Sequence, residues 1–176
     1  MEIKLRIGDR EFAVPIRLLL GMARNFPGNF LAGNDNYAAL ADALINLNLA
    51  SVNQALASSR HLKLRQKKFL LEHGDIDTKR ILLEDQALVR RLETSQLKSI
   101  MALNDGKMLE NLAKALYLPE NPRELLWTDE AVIRDLVERL LSHPNSEVRK
   151  AVLGNSKIPA IYFPSPPAIL NDCGEK

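Results

Sequence analysis

Four segments of the chain can be laid over one another without gaps: VNQALASSRHLK (52–63), TKRILLEDQALV (78–89), MLENLAKALYLP (108–119) and VRKAVLGNSKIP (148–159). Aliphatic residues stand four and then ten positions after each start, at Leu56, Leu82, Leu112 and Val152, and at Leu62, Leu88, Leu118 and Ile158. Five positions after each start the residue is small or apolar, with Ala57, Leu83, Ala113 and Leu153. The segments form a degenerate internal repeat. A helical unit of this size buries its apolar stripe only against its neighbours, so the pattern predicts a stack of helical repeats.

Polar, turn-forming clusters stand just before the second, third and fourth copies, at Glu72–Asp75, Asn104–Gly106 and Ser142–Asn145. The spacing of the copies is uneven, and the interval between the third and the fourth is the longest. This interval contains an apolar stripe of helical period, so we predict an inserted helix from Asp129 to about Leu141. Trp127, just before this helix, is interpreted as a wedge between repeats.

The N-terminus differs from the repeats. Residues 1–14 alternate between apolar and polar around Gly8-Asp9, which predicts a small β-hairpin. An isolated hairpin is marginal in water, so it must pack on a helix, cap the end of the stack or pair with another chain. A helix is predicted from Pro15 to about Asn25, then a break at 26–29, and then a second helix with candidate N-caps at 34–36.

The predicted fold class is therefore mainly α: an α-solenoid with a small N-terminal β-hairpin. A single α-helical repeat domain is expected over residues 1–163, made of the hairpin (1–14), N-terminal helices (15–49) and repeats (50–163). Residues 164–176 are expected to form an extended or mobile tail. A chain of 176 residues is long enough for one domain with a substantial core.

The composition narrows the class of protein. Hydrophobic residues at 46% and charged residues at 26% are typical of a globular protein. The single cysteine, Cys173, excludes an internal disulfide framework and a multi-cysteine metal site. We identify neither a signal-peptide pattern nor an apolar segment long enough to cross a bilayer, and we expect a cytoplasmic protein without membrane association.

The fourth copy resembles the leucine-rich repeat variant family, which belongs to the HEAT-like α-solenoids. The resemblance lies in Val148-Arg149, Asn155 and Ile158-Pro159, preceded by the polar turn 143–147. The third copy keeps the apolar frame and Leu118-Pro119, whereas the first two lack both the Val-Arg pair and the proline. The resemblance implies a right-handed helical stack used mainly for interaction. The iron–sulfur cluster of the family's type member is not implied, because this chain lacks the clustered cysteines that hold it.

The densest basic stretch runs from Arg60 to Lys68 and has five cations and no acid in nine residues. Displayed on one face, these side chains would form a positive ridge that could follow phosphates. No aromatic residue interleaves with the cations to stack on bases, and a charge run is also typical of a solvated helix face. The candidate partner-binding residues are Arg60, Lys63, Arg65, Lys67, Lys68, Arg90 and Arg91.

A second polar cluster, Glu72–Asp77, combines three carboxylates with an imidazole. It could hold a metal, but its spacing matches no defined ligand set. We interpret it as a turn whose acids cap the next helix. Motifs for a nucleophilic serine, a phosphate loop or a dinucleotide are absent from the sequence. No catalytic, cofactor-binding or metal-binding residue is therefore assigned.

The sequence favours a non-enzymatic protein-interaction module, that is, a scaffold, adaptor or chaperone-like protein. Its partner would be another protein bound on the face of the stack. The main alternative is a nucleic-acid-binding repeat protein that uses residues 60–68. An enzyme without a recognisable motif is the third possibility, and the oligomeric state is left open.

Overall fold

Helices dominate the computed structural model, which describes residues 2–26 and 36–164. Within these ranges there are two strands, β1 (Glu2–Ile7) and β2 (Arg10–Pro15), and ten α-helices: α1 (Ile16–Arg24), α2 (Asn36–Asn46), α3 (Ala50–Ala57), α4 (Leu64–His73), α5 (Ile76–Leu82), α6 (Gln86–Val89), α7 (Thr94–Leu103), α8 (Gly106–Ala115), α9 (Glu130–Ser142) and α10 (Ser146–Leu153). Two short 3-10 helices lie at Pro122–Glu124 and Ala160–Tyr162. The prediction of a mainly helical chain with an N-terminal hairpin is confirmed. The predicted break at 27–29, the N-caps at 34 and 35 and the tail after residue 164 lie outside the described residues.

The hairpin packs on helices. β1 and β2 pair antiparallel, with Leu5 opposite Phe12 and Ile3 opposite Val14. Gly8 occupies the turn at a φ of 59°, a conformation that glycine adopts without steric cost. Leu5 and Val14 are buried, β1 contacts α2 and β2 contacts α1. The hairpin thus gains the helical support that an isolated pair of strands would lack.

The chain divides into two compact units, Met1–Arg91 and Leu92–Lys176, called here the N-terminal and C-terminal units. In the N-terminal unit α3 contacts α1 and α5, while α4 contacts α2, α5 and α6. In the C-terminal unit α8 contacts α7 and α10, and α9 contacts α7 and α10. The predicted single repeat domain over residues 1–163 stays a prediction.

The repeat identified in the sequence is a shared pattern of burial. Its four copies begin in α3, α5, α8 and α10. The first, fifth and eleventh residues of every copy are buried: Val52, Leu56 and Leu62; Thr78, Leu82 and Leu88; Met108, Leu112 and Leu118; Val148, Val152 and Ile158. The position after the fifth residue is buried at Ala57, Leu83 and Ala113, whereas Leu153 is 66% exposed.

The helices that precede the second and third copies, α4 and α7, are also related. In each, a buried glutamine one turn into the helix accepts a hydrogen bond from the backbone N–H at the N-cap. Gln66 accepts from Lys63 at 3.0 Å and Gln96 accepts from Glu93 at 3.1 Å. When these two glutamines are aligned, the starts of the following helices, α5 and α8, are aligned as well. Thus the helix pairs α4–α5 and α7–α8 share a cap as well as their spacing.

The polar residues of the fourth copy satisfy helix ends. The last carbonyl groups of a helix have no partner inside it and must be satisfied from outside. Arg149 donates to the carbonyls of His143 and Pro144 at 2.5 and 2.8 Å, just after α9. Asn155 donates to two carbonyls at the end of α8, at 2.7 and 2.8 Å. Lys79, which stands in the second copy where Arg149 stands in the fourth, donates likewise to Glu72 in the last turn of α4.

The helix predicted between the third and fourth copies is confirmed as α9, which buries Ile133, Leu136, Val137 and Leu140. It precedes α10 as α4 precedes α5 and α7 precedes α8, so it is their equivalent and not an insertion. Trp127, in the connection before it, is 54% exposed. A wedge between repeats would be buried, so that interpretation of Trp127 is wrong. The connection instead presents the indole to solvent.

Candidate partner-binding surface

The predicted basic residues differ from one another in exposure and in bonding. Arg60 is exposed after α3 and Lys63 is exposed at the N-cap of α4. Within α4, Arg65 is bonded to α2, Lys67 is buried and Lys68 is half-buried. Arg90 and Arg91 are exposed just after α6. The cations of α4 therefore do not form one ridge along a single helix face.

Lys67 is a core residue with a charge. It is 8% exposed and forms an ion pair with Asp85, whose carboxylate also caps α6 by accepting from the N–H groups of Ala87 and Leu88 at 2.8 and 3.3 Å. Burial would raise the pKa of Asp85, but the hydrogen bond and charge of Lys67, with the two amides, hold this pKa below its ordinary value. The pair joins α4 to α6, so we leave Lys67 out of the candidate surface.

Asp42 of α2 connects that helix to α4. One carboxylate oxygen lies 2.6 Å from Nη2 of Arg65, and the other accepts from Nε2 of Gln66 at 2.7 Å. Gln66 also donates to the carbonyl of Ala38 at 3.1 Å. Because Gln66 is buried with its amide satisfied on both sides, it fixes the spacing between the two helices.

Two adjacent grooves lie along α2, and we name them together the α2 groove. One, of about 400 Å³, lies between α2 and α4 and is lined by Asp42, Ile45, Asn46, Arg65, Gln66 and Phe69. The other, of about 520 Å³, lies between α2 and β1 and is lined by Lys4, Arg6, Gly8, Ala39, Asp42, Ala43, Asn46 and Leu47. Both include Asp42 and Asn46, so they run along one stretch of the helix.

The α2 groove has cations at both edges and an apolar residue at one. Lys4 and Arg6 lie on the hairpin side, and Arg65 and Phe69 on the α4 side. Phe69 is 44% exposed, and its ring stacks on the imidazole of His73, with centroids 4.3 Å apart. The Lys4 ammonium lies 2.8 Å from the Glu11 carboxylate; both groups are solvated, so this pair leaves Lys4 able to exchange partners at little cost. The groove thus offers cations for carboxylates and an aromatic face for an apolar side chain.

Sequence reasoning found only Arg65 of these residues. Lys4 and Arg6 could have been placed on the outer face of the hairpin from its alternation. Asp42 carried a weaker signal, as the one charged residue within α2. Phe69 stood beside the basic run but was assigned no role.

The C-terminal unit carries exposed apolar side chains in the connection between α8 and α9. Leu126 is 80% exposed and Trp127 is 54% exposed. The acidic residues Glu120, Glu124 and Asp129 are exposed around them.

Of the acidic cluster 72–77, Asp75 is confirmed as the cap of α5, whereas Glu72 lies in the last turn of α4 and Asp77 in the first turn of α5. One oxygen of Asp75 accepts from the N–H groups of Asp77 and Thr78 at 2.9 and 3.0 Å, and also from Gln54 at 3.1 Å. Burial would raise the pKa of Asp75, but these hydrogen bonds and the one from the Thr78 hydroxyl lower it overall. Across residues 2–26 and 36–164, no group of histidine, cysteine and acidic side chains is arranged to hold a metal ion. No helix in the same ranges has both the length and the apolar character needed to cross a bilayer.

Comparisons with known proteins add no relative: no protein-family model, no curated protein and no solved structure matches the chain.

Proposed function

We propose that this protein is a non-enzymatic interaction module of HEAT-like helical repeats, which binds a segment of a partner protein along the α2 groove. The observation that carries the proposal is the groove itself, with cations at both edges and the half-exposed ring of Phe69. Support for a repeat stack comes from the burial pattern shared by the four copies and from the end-capping roles of Arg149 and Asn155. A scaffold, adaptor or chaperone-like role fits a module of this kind.

The partner segment is expected to be extended and to combine apolar with acidic residues. Both edges of the groove carry cations, which favour carboxylates by charge complementarity. An aromatic side chain in a half-open groove is also the type of residue that dominates binding energy at interfaces. Asp42 in the middle is already engaged by Arg65 and Gln66, so it repels an acidic segment less than an isolated carboxylate would.

The same contacts make nucleic acid the weaker alternative. A phosphate-binding ridge needs several cations on one face. In α4, Lys67 is buried against Asp85, so it cannot join the other cations of residues 60–68 on one exposed face. Binding through the groove should therefore survive nuclease treatment.

The repeat provides a mild variant for the test. When α4 and α7 are aligned on their buried glutamines, Ser95 and Ser99 of α7 stand where α4 has Arg65 and Phe69. The variant R65S/F69S therefore gives α4 the residues that α7 already carries at these positions. We expect it to fold, because Arg65 and Phe69 are both exposed and an exposed ion pair contributes only about 0–1 kcal/mol.

The experiment is an affinity pull-down from native lysate, with nuclease, at about 0.1 M and about 0.5 M salt, between which surface charge contacts are screened to different extents. The wild type should recover a protein that R65S/F69S does not. The control is L103S, which removes an apolar side chain of similar exposure, 49%, in the C-terminal unit. Equal recovery by wild type and R65S/F69S would refute the groove. Recovery of nucleic acid alone, at low salt, would support the alternative function.

A further inference from the structure

We propose that the partner segment in the α2 groove is, in a homo-oligomer, the connection 119–129 of a second copy of this chain, which inserts Leu126 and Trp127. We name this connection the 119–129 loop. The proposal rests on the groove described above and adds a specific occupant for it.

The 119–129 loop is held at both ends. Before the loop apex, the hydroxyl of the buried Tyr162 donates to the carbonyl of Pro119 at 3.0 Å. After it, the hydroxyl of Thr128 donates to the carbonyl of Leu92 at 2.7 Å. These anchors fix where Leu126 and Trp127 are presented, so less conformational entropy is lost when they bind.

The exposure of the two side chains is the main reason to expect a partner. A tryptophan buries about 150–250 Å² when it is covered, more than almost any other side chain, and tryptophan is enriched at binding hot spots. Here Trp127 and Leu126 are adjacent in sequence and largely exposed on an anchored loop. Covering them would gain apolar burial at little ordering cost.

Charge indicates which surface covers them. The segment 119–130 has four acidic residues and one basic residue, whereas the lining of the α2 groove has three cations, Lys4, Arg6 and Arg65, and one acid, Asp42. The two units differ in the same sense. Met1–Arg91 has fourteen Lys and Arg against ten Asp and Glu, and Leu92–Lys176 has ten against twelve. A copy of the chain therefore carries both an acidic, apolar loop and a basic groove with an exposed aromatic ring.

Each copy offers one loop and one groove. Two copies can therefore exchange both contacts in a closed dimer, or make one contact and leave a groove and a loop for further copies. One loop gives an interface at the small end of specific complexes, and we expect a dissociation constant in the micromolar range.

The test uses two variants that are each defective on one side. L126S/W127S removes the loop side chains, which are largely exposed and can be replaced without opening the core. R65S/F69S removes the groove side chains. Sedimentation of purified protein from about 1 µM to about 500 µM should show wild-type mass rising with concentration, and each variant alone should remain a monomer. L103S should behave like the wild type.

Mixing the two variants should produce a 1:1 heterodimer and nothing larger, because only one intact groove meets one intact loop. Its dissociation constant should rise at least tenfold between about 0.1 M and about 0.5 M salt, as screening weakens the charge contacts. A wild type that stays monomeric throughout would overturn the inference, and so would self-association that either variant retains or a mixture that forms no heterodimer. If R65S/F69S still loses the pulled-down protein in those cases, the proposed function stands although the self-contact fails.

Discussion

Replacing Lys67 with methionine is expected to destabilise the N-terminal unit by about 2 kcal/mol, although Lys67 lies in what the sequence presents as a surface charge run. Methionine keeps an unbranched apolar chain, so the packing of the lysine stem is largely preserved. What is lost is the ion pair with Asp85. The variant therefore isolates the charge from the packing.

The magnitude follows from burial. Breaking a fully buried pair costs about 3–5 kcal/mol, and a hydrogen bond to a charged group contributes about 1.5–3 kcal/mol. The Lys67 side chain is 11% exposed but that of Asp85 is 28% exposed, and Asp85 keeps its two backbone amides. We therefore expect a loss of about 2 kcal/mol, below the range for a fully buried pair. With a urea slope of about 2 kcal/mol per molar, the unfolding midpoint should fall by about 1 M.

The pH dependence has a defined sign. Since the folded-state pKa of Asp85 lies below its unfolded value, the stabilisation is present above the unfolded pKa and is lost as pH falls through the folded one. The difference between wild type and K67M should be full at pH 7 and should shrink below about pH 4. The double variant K67M/D85N should be more stable than the two separate losses predict, because both single variants lose the same ion pair and leave one charge unpaired. Asparagine at 85 can still cap α6.

Urea unfolding followed by circular dichroism tests this, with K98M as the control. Lys98 is exposed in α7, and its replacement should change stability by less than about 0.5 kcal/mol. An unchanged midpoint for K67M would refute the stabilising role of the Lys67–Asp85 pair. Lys67 would then again be a candidate partner-binding residue. A midpoint that falls would keep Lys67 out of the candidate surface.

Three further outcomes are expected. Val148→Asp and Leu112→Asp each bury an unpaired charge and should unfold the C-terminal unit, as measured by thermal circular dichroism. Leu153→Asp, at a 66% exposed repeat position, should melt close to wild type. Normal melting of the first two variants would contradict the repeat. Asn155→Ala removes both bonds to the end of α8 and should cost about 1–3 kcal/mol in urea, and a loss below about 0.5 kcal/mol would count against that capping role. Burial, and then the charge of a nearby glutamate, raise the pKa of Tyr162 despite an opposing arginine. The stabilisation from the neutral phenol is therefore present below the unfolded pKa of 10.0 and is lost as pH rises through the folded pKa. Tyr162→Phe should lose less stability than wild type in alkaline urea titrations, and equal losses would refute this.

The sequence predicted those parts of the fold that burial dictates. Strand alternation located the hairpin, and apolar spacing located α9 and the buried fifth and eleventh positions of every repeat copy. These predictions succeeded because an apolar side chain on a helix or strand has only one face on which it can be buried. The capping role of Asp75 was predictable for a similar reason, since a helix start requires an acceptor at that point.

The contacts between distant segments were not predictable. Lys67 is paired with a carboxylate that lies two helices further along the chain, which local composition does not reveal. Trp127 was expected inside because tryptophan is large and apolar, but the connection that carries it is anchored at its ends and exposed in the middle. The α2 groove combines β1, α2 and α4, and no pattern in the sequence measures how far apart Gln66 and Asp42 hold the two helices.

The two proposed binding surfaces lie where the repeats differ from one another. The helices α4 and α7 share the buried glutamine and the apolar positions, but α7 has Ser95 and Ser99 where α4 has Arg65 and Phe69. The 119–129 loop likewise belongs to one interval alone. The positions that the copies share are those that each helix pair needs to fold. A comparison of the copies therefore identifies core residues and does not identify residues of the proposed binding surfaces. Arg65 and Phe69 are exposed and stand in α4 but not in α7, which is why the proposed binding surface is placed there.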